Sequence, residues 1–297
     1  MQHDVTLDAI IWQQRGIRAL ESGRPAEAED YFSKAVTVAD SALSWLGLAM
    51  SQIDLKRNAA AIESLHRAQK LSPQSGVINH LLASLKGCKP ERAPAAFVNW
   101  LFNSRAAHFD SHLSRLAYRG PEMLQQLAVN AGWNTEAGRR IVDLGCGTGL
   151  SGVPFRPYAA RLDGVDMVPG MLQQAQRRGI YDSLQQNELH VALKSMTDAA
   201  YDAALAADTL IYVGRLDELF IELDRVLAPG GNFLFTTELG AAGSGYTLLP
   251  TGRYSHAEDY LLACAGGRFR MEDRVDGCIR VEDGRMTAGC AYRFAKS

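Results

Sequence analysis

The stretch that most limits how this chain can fold is residues 141–149, Ile-Val-Asp-Leu-Gly-Cys-Gly-Thr-Gly. Its apolar start carries the acid Asp143, and three glycines follow at positions 145, 147 and 149. An apolar run, a glycine-rich turn and then a helical pattern are typical of the first βα turn of a nucleotide-binding α/β sheet. Glycines let the backbone approach a ligand where a Cβ would collide. The pattern therefore predicts a ligand-binding turn, the alternative being a glycine turn with a purely structural role.

Composition excludes several other classes of protein. The 297 residues are 47% apolar and 22% charged with a net charge of −2. The chain therefore has no excess of basic residues of the kind that binds nucleic acid. No apolar run approaches the roughly 20 residues that span a membrane, and the first residues do not resemble a secretory signal. The five cysteines are scattered without a C-x-x-C pair, which predicts neither a metal site nor a disulfide framework. We expect a cytoplasmic protein.

From residue 95 onward, helical patterns and short apolar runs alternate. Candidate strands are 140–144, 161–166, 189–193, 201–207, 232–237, 277–281 and 289–294. Candidate helices after the glycine turn are 170–178, 216–227 and 257–265. This alternation predicts an α/β fold with a mostly parallel, doubly wound sheet, in which ligands bind beyond the carboxyl ends of the strands.

Acids at two of those strand ends are candidate site residues. Asp166 ends the second candidate strand about 20 residues after Gly145, where an acid can accept bonds from both ribose hydroxyls of a nucleoside. The alternative is an N-cap for the next helix. Met167 beside it is apolar and would lie against an adenine ring. Asp208 follows the fourth candidate strand.

These features together resemble a known family. The string at 141–149 resembles motif I of class I S-adenosylmethionine (SAM) methyltransferases, and Leu-Ala-Pro-Gly-Gly at 227–231 resembles the start of their fifth strand. The resemblance implies a Rossmann-like fold and SAM as cofactor, and it puts Asp208 where methyl donor and acceptor meet. The cofactor contacts that it implies are Asp143, Gly145, Cys146, Gly147, Thr148, Gly149, Asp166, Met167 and Asp208.

A narrower resemblance is to bacterial methyltransferases fused to tetratricopeptide repeats (TPR). It is carried by residues 109–122, 207–214, 251–260 and 280–282. It implies that a helix covers the cofactor with Tyr118. The third candidate strand ends in Ala-Leu-Lys-Ser at 192–195, where many relatives carry an acid facing adenine. The adenine contacts are therefore assigned to Met167 and to the main chain near Leu193.

The N-terminal part contains a repeat with a period of 33 residues. Trp12, Gly16, Ala28, Phe32, Ala35 and Asp40 recur as Trp45, Ala49, Ala61, Leu65, Ala68 and Pro73. The residue types resemble two TPR units, followed by a capping helix at 76–85. We expect a helical domain at 1–87, a Pro- and Gly-containing linker at 88–94 and a methyltransferase domain at 95–297. The repeats predict either a groove for a protein or peptide partner, or a structural lid or surface for self-association.

The sequence gives weaker signals for the residues that contact the methyl acceptor than for those that contact the cofactor. His256 is the candidate general base because an unperturbed histidine titrates near neutrality, the alternative being a histidine in a surface loop. Tyr254 and Arg253 are candidates to orient an acceptor or bind a carboxylate. Tyr212 and Glu238 are further candidates to line the acceptor pocket. No feature of the sequence identifies the atom that receives the methyl group.

Three functions stay open at this point. The first is methylation, most simply O- or N-methylation, of a small metabolite or of a natural-product intermediate, free or bound to a peptide or carrier. The second is methylation of a protein recruited by the repeats, and the third is a non-catalytic SAM-binding adaptor. Residues 104–110 resemble the start of malonyl-carrier-protein methyltransferases, which keeps a carboxylate acceptor among the possibilities.

Overall fold

A computed structural model describes residues 2–103, 105–136, 138–282 and 285–297. Position 104, the start of the segment compared with malonyl-carrier-protein methyltransferases, lies outside the described residues. The chain forms two compact units, which we call the N-terminal unit (Met1–Pro90 with Leu248–Arg253) and the C-terminal unit (Glu91–Thr247 with Tyr254–Ser297). This division differs from the sequence-based one, because residues 248–253 group with the N-terminal unit.

The N-terminal unit is all helical apart from its short inserted segment. Its helices are α1 (Gln2–Glu21), α2 (Pro25–Val38), α3 (Ala42–Asp54), α4 (Asn58–Leu71) and α5 (Gly76–Leu85). Phe32 of α2 fills the space between the two repeats. A Cβ on Gly16 or Gly47 would lie within 2.7 and 2.3 Å of its ring, so both positions need glycine for this close packing. The inserted segment is held by α5, where His80 Nε2 lies 2.9 Å from the Gly252 carbonyl oxygen.

The C-terminal unit alternates helices and strands. Its helices are α6 (Ala95–Asn103), α7 (Phe109–Arg115), α8 (Gly120–Asn130), α9 (Pro169–Arg178), α10 (Leu189–Ser195), α11 (Asp217–Val226) and α12 (Glu258–Ala265). Its strands are β1 (Arg139–Leu144), β2 (Ala159–Asp166), β3 (Ser183–Gln186), β4 (Tyr201–Ala206), β5 (Leu227–Leu239), β6 (Tyr246–Leu248), β7 (Tyr254–His256), β8 (Phe269–Glu282) and β9 (Arg285–Lys296), with Leu248, the last residue of β6, grouped with the N-terminal unit. No helix in the described part of the chain is long and apolar enough to cross a membrane.

The strands form one mixed sheet. Strands β3-β2-β1-β4-β5 are neighbours in that order and run parallel, β9 pairs antiparallel with β5, and β8 pairs antiparallel with β9. Side chains of β1 point alternately to the two faces of the sheet. Val142 and Leu144 pack in a hydrophobic cluster with α10, α11 and α12. Ile141 packs on the other face with α8. Helices thus cover both faces, and the predicted doubly wound Rossmann-like sheet is confirmed.

The predicted third strand at 189–193 is wrong, because these residues form α10. The third strand is β3, which begins soon after α9 ends at Gly179 with a left-handed φ of 68°. The four residues of β3 show no alternation of buried and exposed side chains, whereas residues 189–193 lie in a short helix that buries His190, Ala192 and Leu193. A five-residue apolar run does not by itself distinguish a buried strand from a buried helical turn.

The predicted linker at 88–94 is partly ordered structure of the C-terminal unit. Arg92 forms an isolated antiparallel bridge with Val213, and Ala93 N–H donates to the Tyr212 carbonyl oxygen at 2.9 Å. The Glu91 carbonyl oxygen accepts from the N–H groups of Gly214 and Arg215. Residues 91–93 therefore fix the loop that follows β4.

Candidate functional site

The glycine turn after β1 packs against Thr209 at Gly145 and faces open space at Gly147. Gly145, Gly147 and Gly149 have φ values of 73°, 54° and 92°, a region that side chains other than glycine rarely adopt. A Cβ on Gly145 would lie 2.3 Å from Thr209 Oγ1, whereas a Cβ on Gly147 would meet nothing within 4 Å. The turn therefore presents bare backbone at Gly147 to open space.

Asp166 closes this turn from the end of β2. Its Oδ2 accepts from Gly147 N–H at 2.9 Å and its Oδ1 from Val168 N–H at 2.8 Å. Burial raises the pKa of Asp166, and the backbone N–H bonds oppose that rise. Each carboxylate oxygen has a second lone pair, so the half-buried side chain can still accept bonds from a ligand hydroxyl. The bond to Val168 N–H, at the start of α9, shows that Asp166 also orders the beginning of that helix.

Asp143 lies fully buried beneath the same turn. Its Oδ2 accepts from Ser151 Oγ and from the Tyr181 hydroxyl, both at 2.7 Å. Its Oδ1 has no hydrogen-bond partner among the residues that the structure describes. Burial raises the pKa of Asp143 to about 6. A buried acceptor of this kind is stabilised when a cation arrives nearby.

The far side of the turn is bonded to α7, which precedes β1, and to α9, which follows β2. Thr148 Oγ1 donates to Asp110 Oδ1 of α7 at 2.5 Å, and Arg178 Nε of α9 donates to the Thr148 carbonyl oxygen at 2.9 Å. Arg178 also forms an ion pair with Asp110. These residues, with Gln174 and Arg177, line a cavity of about 220 Å³. Asp110 was not among the predicted site residues, and it fixes α7 against the turn.

The predicted cofactor contacts fall into two groups. Gly145, Gly147, Asp166, Met167, Asp208 and Tyr118 are partly exposed. Asp143, Cys146, Thr148 and Gly149 are buried. The Cys146 side chain packs against Gly164 of β2, so its part in the site is structural.

Leu193 requires a correction. It lies in α10 rather than at a strand end, and its side chain is fully buried in the core. Its carbonyl oxygen accepts from Arg225 Nη2 at 2.8 Å. The residue that follows the true third strand is Asn187, which is half-buried and donates its N–H to the Asp166 carbonyl oxygen at 3.1 Å. Sequence reasoning missed Asn187 because it placed the strand too late.

A buried arginine gathers three carboxylates at the ends of β4, β5 and β8. Arg280 Nη1 donates to Asp208 Oδ2 at 2.7 Å, and its Nε donates to Glu282 Oε1 at 3.0 Å. Its Nη2 donates to Glu238 Oε1. We call these four residues the Arg280 cluster. Burial alone would lower the pKa of the guanidinium, but the three carboxylates outweigh it and raise the pKa.

Aromatic side chains accompany the Arg280 cluster. The Phe102 ring meets the rings of Phe109 and Tyr212 edge to face, with centroids 5.6 and 5.4 Å apart. Burial, followed by the charge of Asp208, raises the pKa of the Tyr118 hydroxyl. Tyr118 is held in place because residues 116–119 hydrogen-bond to β8, with Arg119 N–H donating to the Ile279 carbonyl oxygen at 2.8 Å.

The predicted general base, His256, is not placed for that role. It lies in β7 with no exposed surface, and its Nε2 is 2.9 Å from the Val213 carbonyl oxygen and 3.2 Å from that of Gly214. Since a carbonyl can only accept, Nε2 carries the proton of a neutral ring. Burial lowers the pKa of His256 to about 4. His256 is therefore a core residue that anchors the loop after β4.

The other two residues predicted to contact the acceptor, Tyr254 and Arg253, lie in different environments. Tyr254 is fully buried, with its ring 6.0 Å from that of Tyr246, so it is a core side chain rather than a contact for an acceptor. Arg253 is half-buried and belongs to the N-terminal unit. Its role toward an acceptor stays a prediction.

Comparison with known proteins matches two segments of the chain to family models. Residues 142–235 match the family model described as "Methyltransferase domain", and residues 42–75 match the model described as "Tetratricopeptide repeat". Methyltransferase-like protein 27 of Homo sapiens is 30% identical over 146 residues, which cover 48% of this chain and 58% of that protein. Malonyl-[acyl-carrier protein] O-methyltransferase of Serratia marcescens is 35% identical over 112 residues, which cover 37% and 42%. The chain thus spans less than two thirds of either relative.

A solved structure has a similar fold. The 1,6-didemethyltoxoflavin-N1-methyltransferase of Burkholderia thailandensis superimposes with a TM-score of 0.54 at 16% identity, covering 68% of this chain and 88% of that one. That structure contains bound S-adenosylhomocysteine. This chain therefore carries a class I SAM-dependent methyltransferase domain, matched over residues 142–235, together with a tetratricopeptide repeat at residues 42–75.

Proposed function

We propose that the chain transfers the methyl group of SAM to an oxygen or nitrogen of a small acceptor bound at the carboxyl edge of the sheet. The observation that carries the proposal is the open backbone at Gly147 beside the Asp166 carboxylate, 2.9 Å from the Gly147 nitrogen. A bare turn of positive φ next to a strand-end acid is what a nucleoside ligand requires. The relatives named above include an O-methyltransferase and an N-methyltransferase, which leaves both acceptor atoms in the proposal.

The residues present fit SAM. Asp166 would accept hydrogen bonds from the ribose hydroxyls, and Met167 and Asn187 would flank the adenine. The unpartnered Oδ1 of Asp143 would face the positive charge of the amino acid part of SAM. Gly147 would let the ligand lie against the backbone, and Gly145 leaves room for the Thr209 side chain. Cys146, Thr148 and Gly149 would support the turn from behind.

SAM supplies an activated methyl group on a sulfonium, so the protein has mainly to align the acceptor and exclude water. Tyr118, with Phe102, Phe109 and Tyr212, would form an apolar wall that keeps water away from the acceptor. Asp208, fixed by Arg280 at 2.7 Å, would accept a hydrogen bond from the acceptor hydroxyl or amine and orient it. No proton transfer is assigned to His256, because its ring is buried and neutral.

A labelling experiment tests the proposal. The protein is incubated with methyl-labelled SAM and a host extract divided by size, and label is expected in the small-molecule fraction. Asp166→Ala should bind SAM at least about tenfold more weakly, since each charge-assisted hydrogen bond contributes about 1.5–3 kcal/mol. Calorimetry measures that affinity directly.

The control is Asp182→Ala, which removes another carboxylate bound to a backbone N–H, that of Leu162 at 2.7 Å. It should leave SAM binding unchanged. Label found only in the protein fraction would favour substrate recruitment by the repeats instead. Tight SAM binding without any labelled product would favour a non-catalytic adaptor, and unchanged binding by Asp166→Ala would remove the ribose assignment.

SAM affinity should also depend on pH through Asp143. Its pKa of about 6 in the folded protein means that the carboxyl is neutral in more acidic solution. A cationic ligand favours the ionised form, so binding releases a proton and affinity falls as the pH drops below that value. We expect about a tenfold rise in Kd between pH 7 and pH 5.

The matched variant is Asp143→Asn, which cannot ionise and keeps the shape of the side chain. Its SAM affinity should be weaker at neutral pH and nearly constant between about pH 5 and pH 7. Calorimetry in buffers of different ionisation enthalpy would detect the released proton in the unchanged protein. Equal Kd values at both pH values would show that Asp143 does not face the charge of SAM.

A further inference from the structure

The first helix of the N-terminal unit presents an apolar face to solvent. Leu7, Ile10, Ile11 and Ile17 of α1 have 56%, 44%, 38% and 38% of their surface exposed. We call these four residues the α1 stripe. Single exposed apolar residues are ordinary on a protein surface, but four on one helix form a contiguous patch, which is typical of an interaction surface.

The stripe lies on the side of α1 that faces away from α2. Gly16 is the point of closest approach to α2, because a Cβ there would lie 2.7 Å from the Phe32 ring. At about 100° per residue, Leu7 stands half a turn around the helix from Gly16, and Ile10 and Ile17 lie near Leu7. The spacing 7, 10, 14, 17, with exposed Gln14 as the polar member, is that of a helix that pairs with another helix.

Charges beside the stripe indicate what kind of helix would fit. Exposed Asp8 lies toward the first half of α1, and exposed Arg15 and Arg18 lie toward its second half. An identical helix running antiparallel would bring Asp8 close to Arg15 and Arg18 of the second copy. It would also bring Leu7 against Ile17, since these two residues are equally distant from position 12. A parallel copy would instead place like charges together.

We propose that the α1 stripe is a homodimer interface in which two copies of this chain pair antiparallel along α1. The contact is isologous, because the same residues meet on both sides of a two-fold axis near position 12. This inference does not depend on the proposed methyl transfer.

Sedimentation equilibrium of the full chain tests the proposal. The unchanged protein should be a dimer at micromolar concentration, and Ile17→Glu should weaken its dimerisation at least about tenfold, since the substitution enters the contact twice. The matched control is Leu43→Glu, an apolar side chain on α3 that is 48% exposed and lies outside the stripe. Leu43→Glu should remain dimeric, and circular dichroism should show that both variants keep their helices.

Charge reversal gives an independent readout of the antiparallel arrangement. Asp8→Arg alone and Arg18→Asp alone should each weaken the dimer, and the two changes together should restore it. A monomeric unchanged protein at about 100 μM would overturn the proposal. So would Ile17→Glu with the dimer affinity of the unchanged chain, or a double reversal that dimerises less well than either single one.

Discussion

Replacing Gly147 by valine should abolish SAM binding while the chain remains folded. Gly147 has a φ of 54°, and a Cβ at this position would meet no atom of the protein within 4 Å. The branched side chain would therefore project into the open space beside Asp166, where the proposed cofactor lies. We expect binding at least about 100-fold weaker, which corresponds to about 2.8 kcal/mol.

The control for this prediction is Gly179→Val. Gly179 also has a positive φ, 68°, and a Cβ there would likewise meet nothing within 4 Å, but it follows α9 and is not one of the turn residues 145–149. Both variants should lose a similar amount of stability, about 1–2 kcal/mol, because a side chain is strained in the left-handed region. Calorimetry should show normal SAM affinity for Gly179→Val. If Gly147→Val bound SAM normally, or if both variants lost binding equally, the turn would not be the cofactor site.

The turn could be predicted from the sequence because its chemistry is local. Positive φ angles at Gly145, Gly147 and Gly149 require the three glycines that the sequence places there. Asp166 is likewise predictable, since it ends β2, which pairs parallel with β1, the strand that carries the turn. The positions of site residues near the end of one strand can be predicted because the local sequence determines the backbone there.

Burial was harder to predict than secondary structure. The segment around His256 was correctly placed after the fifth long strand, but its residues form a three-residue strand, β7, with every side chain buried. The pairing of Glu238 with Ser255 and of Leu239 with His256 turns the ring toward the Val213 carbonyl instead of toward solvent. A histidine in a short polar sequence carries no signal that distinguishes these two environments.

The Arg280 cluster depends on pairing between distant parts of the chain. Arg280 is 72 residues from Asp208 and 42 from Glu238, and β8 reaches them only through β9, which pairs with β5. The register of three strands decides which side chain meets the carboxylates. The sequence marked Arg280 and Glu282 only by family resemblance, so their electrostatic role could not be predicted from composition or spacing.

Arg280→Met should lower the free energy of unfolding by about 3–5 kcal/mol, the largest stability effect that we expect from one substitution in this chain. The Arg280 side chain is 3% exposed and that of its partner Glu238 is 7% exposed. Methionine has a similar length and packs in an apolar environment, so the loss comes mainly from carboxylates left without their counter-charge. Urea denaturation followed by circular dichroism measures the change, with the slope of the transition showing whether unfolding remains two-state.

The matched control lies on the same strand. Arg270 also pairs with a glutamate two residues later, Glu272, but its side chain is 75% exposed. Because solvent screens an exposed pair, Arg270→Met should change stability by less than about 1 kcal/mol. A deficit for Arg280→Met as small as that for Arg270→Met would mean that Arg280 contributes packing rather than charge at the end of β8.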